Sequence, residues 1–433
     1  MHYSSSLLLV PVLVAVLSAK PLNDSKTGNR TAKPKDISKG CVFRTFFGED
    51  PHEPFYILKT PAKVEASVSD ALTWVSKAQN NDGGWGAGLH QAQHVMDPHA
   101  VKSDPASTSM VAMALLRSGN TLTAGKYSAN LVRATEYLLK QVENSEEGTL
   151  NITNLTGTQI QTKLGKNIDV VMTSQYLTNL LDYLTANPNM TSRVKKAVSK
   201  CVNMIQNGQN PNGSQQGAGW AGVLQSSFAA NALESAKDKG VAVDEKKLSK
   251  ARDYQKKNFD DKSNTARTED AAGILLYSVS GSARSSAREA RLAEETLKRA
   301  KHEGKVAASE PVNVDNLRKA GLSESEAMQY STAYHVNAAA KKTAQRQDVM
   351  NGFGSNGGEE FLSFLQTGES LIISKDNDWK KWYDDITTRL MQIQNPNGSW
   401  NGHHCITSPV FCTATCLLIL TINNDAEKLM GSN

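Results

Sequence analysis

One pattern recurs along this chain and restricts what it can fold into. An amphipathic stretch at helical spacing is followed by Gln-Asn, a polar turn with Asp-Gly or Asn-Gly, and then Trp. Residues 71–86 read ALTWVSKAQNNDGGWG and residues 388–402 read TRLMQIQNPNGSWNG. A third, partial copy spans residues 202–220, VNMIQNGQNPNGSQQGAGW, and degenerate copies begin at Ala134 and Ala251. Such self-similarity marks a repeat architecture, in which each unit buries its apolar face only against its neighbours. In the first copy Val68, Ala71, Leu72, Val75 and Ala78 share one helical face. The glycine then stops the helix, because it takes the left-handed conformation that a helix end adopts.

A second helix of different character follows each turn. Residues 108–117 (TSMVAMALLR) and 169–181 (DVVMTSQYLTNLL) are apolar or small on nearly all sides, and residues 228–233, 271–277, 360–371 and 412–420 match them. A helix without a polar face is buried on both sides. The unit is therefore an outer amphipathic helix, a Gly-rich turn and an inner buried helix. Six such hairpins close into an all-α, α6/α6 toroid, since an open solenoid leaves a solvated face on both helices of a pair. The toroid domain is expected over residues 63–425, with a short tail at 426–433. Residues 283–308 are highly charged and are expected to form an exposed insertion helix within it.

The N-terminus bears on compartment. Residues 7–17 (LLLVPVLVAVL) have the length of a signal-peptide apolar region, and Ser18 and Ala19 offer a cleavage point. Residues 1–19 are read as a signal peptide and 20–62 as a disordered or extended leader, giving a secreted or periplasmic protein with no transmembrane segment after cleavage. A net charge of +5, from 48 basic and 43 acidic residues, gives no sign of a nucleic-acid surface. Of Cys41, Cys201, Cys405, Cys412 and Cys416, three crowd near the C-terminus, where one local disulfide is expected. Asn212 and Asn397 begin glycosylation sequons inside tight turns, where a glycan is awkward; this favours a bacterial exported protein.

The turns Gln79-Asn80-Asn81-Asp82-Gly83-Gly84-Trp85 and Gln394-Asn395-Pro396-Asn397-Gly398-Ser399-Trp400 resemble the QW motif of the terpenoid cyclase and protein prenyltransferase superfamily, which includes squalene cyclase-like and prenyltransferase repeat proteins. The resemblance runs over roughly residues 64–423 and implies an α/α toroid. That family holds polycyclising enzymes, prenyltransferase β subunits and non-enzymatic carriers, so the fold alone does not name an activity. The Asp-x-Asp-Asp acid of proton-initiated cyclases has no counterpart here. Prenyltransferases hold Zn with Asp, Cys and a His that begins the last inner helix; Cys412 stands where that His would be, and the Asp-x-Cys pair is absent.

Two loops are rich in metal-type side chains. His90, His94 and His99 follow Trp85, and His403, His404 and Cys405 follow Trp400. Ring closure would place both loops on one rim, at the mouth of the cavity and at the N-termini of inner helices. Imidazole and thiolate suit Zn, so His90, His94, His99, His403, His404, Cys405 and Cys412 are candidate ligands. Polar-rim binding and a purely structural role remain open for the same residues. Glu359 and Glu360 enter the fifth inner helix, either as helix-end acids or as general acid/base groups. Asp104, Asp169 and Asp270 sit at comparable entries. Candidate catalytic residues are His403, His404, Cys405, Glu359 and Glu360. The expected function is binding of an apolar or amphipathic small molecule, or a cell-envelope partner, through the central funnel. The alternative is a hydrolase, lyase or transferase at the His/Cys/Glu rim.

Overall fold

The structure is a computed structural model that describes residues 59–430, apart from Glu147 and Ser355. The signal peptide, and the leader up to residue 58, lie outside the described residues.

Sixteen helices and one two-stranded hairpin make up the described chain. Six are inner helices: α2 (Pro105–Arg117), α5 (Ile168–Leu180), α7 (Gly222–Asp238), α9 (Leu275–His302), α13 (Gly358–Ile373) and α15 (Pro409–Leu420). Each inner helix packs on the next, and α15 packs back on α2, so the ring closes. Outside it stand α1 (Ala62–Lys77), α3 (Ser128–Asn144), α6 (Pro188–Asn207), α8 (Glu245–Lys257), α11 (Glu324–Ala344) and α14 (Trp379–Gln392). The fold is an all-α, six-hairpin α/α toroid. Every residue of α13 and of α15 is buried, whereas α1 buries one stripe centred on Val64, Ala71, Leu72 and Val75. The short helices α4 (Gln159–Lys163), α10 (Val314–Lys319), α12 (Gln347–Met350) and α16 (Ala426–Met430) lie between or after the hairpins.

The turns repeat bond for bond. Gln79 Nε2 donates to Gly83 O at 2.7 Å and to Asn130 O of the neighbouring outer helix at 2.9 Å; Gln394 Nε2 donates to Gly398 O at 2.9 Å and to Ser67 O at 3.0 Å. The last bond spans the ring closure. Trp85 Nε1 donates to Val75 O and Trp400 Nε1 to Leu390 O, both at 2.8 Å, which ties each turn to its own outer helix. Gly83 and Gly398 hold φ near 90° with a neighbouring outer-helix backbone where a Cβ would stand, at 2.7 Å from Arg133 O and 2.8 Å from Asp70 O. Only glycine fits both demands.

The third copy departs from expectation. Gln215, not Trp220, occupies the tryptophan place: its backbone N donates to Ser226 Oγ as Trp85 N donates to Thr108 Oγ1. Trp220 lies five residues further on and is 64% exposed.

Residues 283–302 are also corrected. They are not a separate exposed helix but the continuation of α9, where Ala283, Arg284, Ser285, Ser286, Ala287 and Glu289 are buried. The charges that suggested a solvated surface point at partners: Arg284 pairs with Glu369 and Glu234, and Glu289 with Lys256. Beyond them Ala293, Leu297, Ala300, Leu317 and Ala327 form a small satellite core under α10 and α11.

The local disulfide does not form: Cys201, Cys405, Cys412 and Cys416 are free thiols. Cys412 and Cys416 sit one turn apart within buried α15, while Cys405 is on the loop before it. Among the described residues no single helix is long and apolar enough to cross a membrane.

Candidate functional site

Two places in the ring collect chemistry, one at each end. At the end where inner helices begin, the loops after Trp85 and Trp400 touch. Gln93 Nε2 donates to Cys405 O, and Thr407 Oγ1 donates to Gln93 O at 2.7 Å. His90 shares a hydrogen bond with Gln93 at 2.9 Å, and His404 lies edge-on against Phe353 with ring centroids 5.2 Å apart. His94, His99 and His403 are exposed. Cys412 is buried, with its Sγ 3.5 Å from Ile406 O. Among the described residues no three His, Cys, Asp or Glu side chains gather as a metal-binding group, so the candidate ligands share a rim without sharing a centre.

The acids at this end are buried and mostly engaged. Asp104 caps α2 through Ser107 N at 2.7 Å and also accepts from Ala87 N at 2.7 Å. Asp169 accepts from Ala106 N and Gln161 Nε2. Burial raises both carboxyls, and the Asp104 charge lifts Asp169 further. Asp270 differs: it is exposed, and accepts from Tyr254 OH. Glu359 accepts from Ile406 N at 3.3 Å, and burial together with the adjacent Glu360 pushes its carboxyl up to about 8. Glu360 Oε1 accepts from Tyr277 OH at 2.6 Å and Phe353 N at 2.9 Å. Its Oε2 has no partner among the described residues and lies 3.9 Å from His404 Nε2. Cys405 holds φ of 57°, uncommon for a residue with a side chain. Burial and the Glu359 charge push its thiol up to about 11, so it is no ready nucleophile.

Lys163 and Tyr277 belong to this cluster and carry no motif. Lys163 is 4% exposed, and its ammonium lies 3.9 Å from the centre of the Trp220 ring. Neither an isolated lysine in a five-residue helix nor a misaligned tryptophan announces such a contact in sequence.

The second place is the central cavity, about 690 Å³, lined by all six inner helices. Its deepest walls, Met110, Gln175, Phe228 and Leu365, lie near the middle of their helices, and Arg117, Ser235, Asp238 and Leu418 line it near the helix ends. The funnel therefore opens where the inner helices finish, opposite the histidine rim. Sequence reasoning placed the mouth at the wrong end. Glu359 and Glu360 do not line it.

The mouth is charged in alternation. Glu369 lies 3.3 Å from Arg117 and 3.0 Å from Arg284; Glu234 lies 3.4 Å from Arg284 and 3.3 Å from Arg288. Burial alone would raise Glu234, but Arg252, Arg288 and Arg284 hold it down at about 2. A wider groove of about 1040 Å³ runs outside the ring along α6, past Lys195, Lys196 and Lys200. It is open to solvent along one outer helix and cannot enclose a ligand as the central cavity does.

A solved type II terpene cyclase, MstE from Scytonema in its apo form, is similar at 13% identity and a TM-score of 0.44, covering 84% of this chain and 98% of that one. No curated protein matches the chain. Residues 57–165, the first hairpin and the entry to the second, match the family model of the squalene-hopene cyclase C-terminal domain, and in that segment the chain is similar to the terpenoid cyclase superfamily.

Proposed function

We propose that this is an exported binding protein, secreted or periplasmic, whose central cavity takes an amphipathic small molecule. The observation that carries the reading is the cavity itself. About 690 Å³ is in the range of small-molecule sites, with Met110, Met113, Phe228 and Leu365 in its depth and paired charges at its mouth. An apolar chain would lie inward and a polar head outward. Isothermal titration of the full chain with dodecyl maltoside, below its micelle concentration, tests this. Binding of one molecule that is lost in Met113→Trp, which fills the cavity, supports the reading. No binding, or binding untouched by Met113→Trp, removes it.

A second reading is a hydrolase, lyase or transferase acting at the opposite rim. One observation favours it: two adjacent buried glutamates, one with a raised carboxyl and one with an unpartnered oxygen beside His404. A buried carboxyl held up beside a neighbour with a free oxygen suits acid/base chemistry. Any hydrolytic turnover by the purified chain should then vanish in Glu360→Gln while folding survives.

A further inference from the structure

We propose that the ligand of the central cavity is an anionic amphiphile, and that the chain's own C-terminal segment, residues 425–430, occupies the place of its head at the mouth. This rests on the cavity reading above and adds the sign of the head group and the element it displaces.

Arg117 ends α2 at the mouth with its side chain only 8% exposed. Its Nε donates to Asp425 Oδ2 at 2.6 Å, its Nη1 to Leu418 O at 3.0 Å and its Nη2 to Glu369 Oε1 at 3.3 Å. From there acid and base alternate around the wall: Asp425, Arg117, Glu369, Arg284, Glu234, Arg288, Asp238. Every link but the first joins two inner helices. The first joins the ring to the tail.

With the tail lifted away, Arg117 keeps the Leu418 carbonyl but has Glu369 as its one remaining counter-charge, which Arg284 already shares. A guanidinium this buried is costly to leave short of a counter-charge. Its planar fork matches the oxygens of a carboxylate, sulfate or phosphate. The residues behind Asp425 continue the likeness. Leu429 and Met430 pack against the ring's core and line the same cavity. Arg291 donates to the Met430 carbonyl, and Lys428 donates to Tyr183 OH, which holds the segment across the mouth. An acid on Arg117 with apolar groups beside it is the chemistry a displacing ligand must reproduce.

A closed mouth lowers apparent affinity in proportion to the fraction of chains that are open. In Asp425→Asn the tail loses the carboxylate that faces Arg117, and Arg117 is left for the ligand. The full chain is titrated with dodecanoate and, separately, with neutral dodecyl maltoside. Asp425→Asn should tighten dodecanoate by about tenfold or more and dodecyl maltoside by clearly less. Arg117→Gln should erase the preference for dodecanoate, and Arg117→Lys should restore part of it. Dodecyl phosphate and dodecyl sulfate, run alongside, separate a carboxylate ligand from a phosphate or sulfate one. If Asp425→Asn leaves the ratio of the two affinities unchanged, the anion inference is wrong while the cavity reading stands. If neither probe binds the wild type or Asp425→Asn, both fall together. Because Asp425→Asn leaves every inner-helix pairing in place, its result stands even where an Arg117 variant fails to fold.

Discussion

Trp400 and Trp220 follow the same kind of turn in sequence and should differ sharply when each is replaced by alanine. Trp400 is fully buried, and its indole N–H ties the turn to Leu390 O at 2.8 Å. Truncating a buried tryptophan costs about 3–5 kcal/mol. The orphaned carbonyl adds little, because Leu390 O also accepts from Ile393 N at 3.2 Å. Trp220 is 64% exposed, and its main contact is the Lys163 ammonium at 3.9 Å. A cation–π contact is worth about 0.5–1 kcal/mol at an exposed site and about 2 kcal/mol when desolvated; with the ring exposed and Lys163 buried, Trp220→Ala should lose no more than about 2 kcal/mol. Urea unfolding followed by far-UV circular dichroism gives both values side by side. Equal losses would refute the assignment of Gln215 to the tryptophan place. A loss near zero in Trp400→Ala would refute the stapling role of the turn.

Other consequences follow from single contacts. Gly398→Ala should cost at least about 1–3 kcal/mol, because the new Cβ meets the Asp70 backbone and the residue must hold φ of 90°; a thermal melt unchanged from wild type would contradict this. Glu369→Gln should cost about 1–3 kcal/mol, because it weakens two charge-assisted contacts while Arg117 keeps Asp425 and Arg284 keeps Glu234, again read from urea midpoints. Glu359 binds its proton more tightly folded than unfolded, since its carboxyl is pushed up to about 8 from an ordinary 4.5. Its contribution to stability is thus complete below about pH 4.5, declines as pH rises, and is gone above about pH 8. Glu359→Gln should flatten that decline without abolishing it, because Asp104 and Asp169 are raised in the same direction.

The ring was readable because its inner helices lack a polar face, a property that single residues report and neighbours do not alter. All six segments read that way, from residues 108–117 to 412–420, lie wholly or in part on inner helices of the structure. The path of residues 283–302 was not readable. Arg284, Arg288 and Glu289 look like solvent-facing charges until Glu369, Glu234 and Lys256 are placed opposite them, and those partners are 33 to 85 residues away. The end of the ring that opens was hidden for the same reason. Histidines are conspicuous in a loop, whereas the cavity mouth is built from arginines and glutamates spaced along four helices. Lys163 and Tyr277 carried no local pattern at all. The two rim loops do touch, because equal positions in the first and last hairpins become neighbours when the ring closes. Touching is a weaker condition than coordinating a metal, and Gln93 rather than any histidine makes the contact with Cys405.

Photo-crosslinking tests the central account most directly. Dodecanoate carrying a diazirine at the end of its chain is irradiated with the full-length protein, and the modified peptides are mapped by mass spectrometry. The account predicts label on α2, α7 and α13 near Met110, Phe228 and Leu365, the walls of the cavity's depth. Label confined to Phe353, His404 and Cys405 at the opposite rim, or to the outer groove along α6, would contradict it.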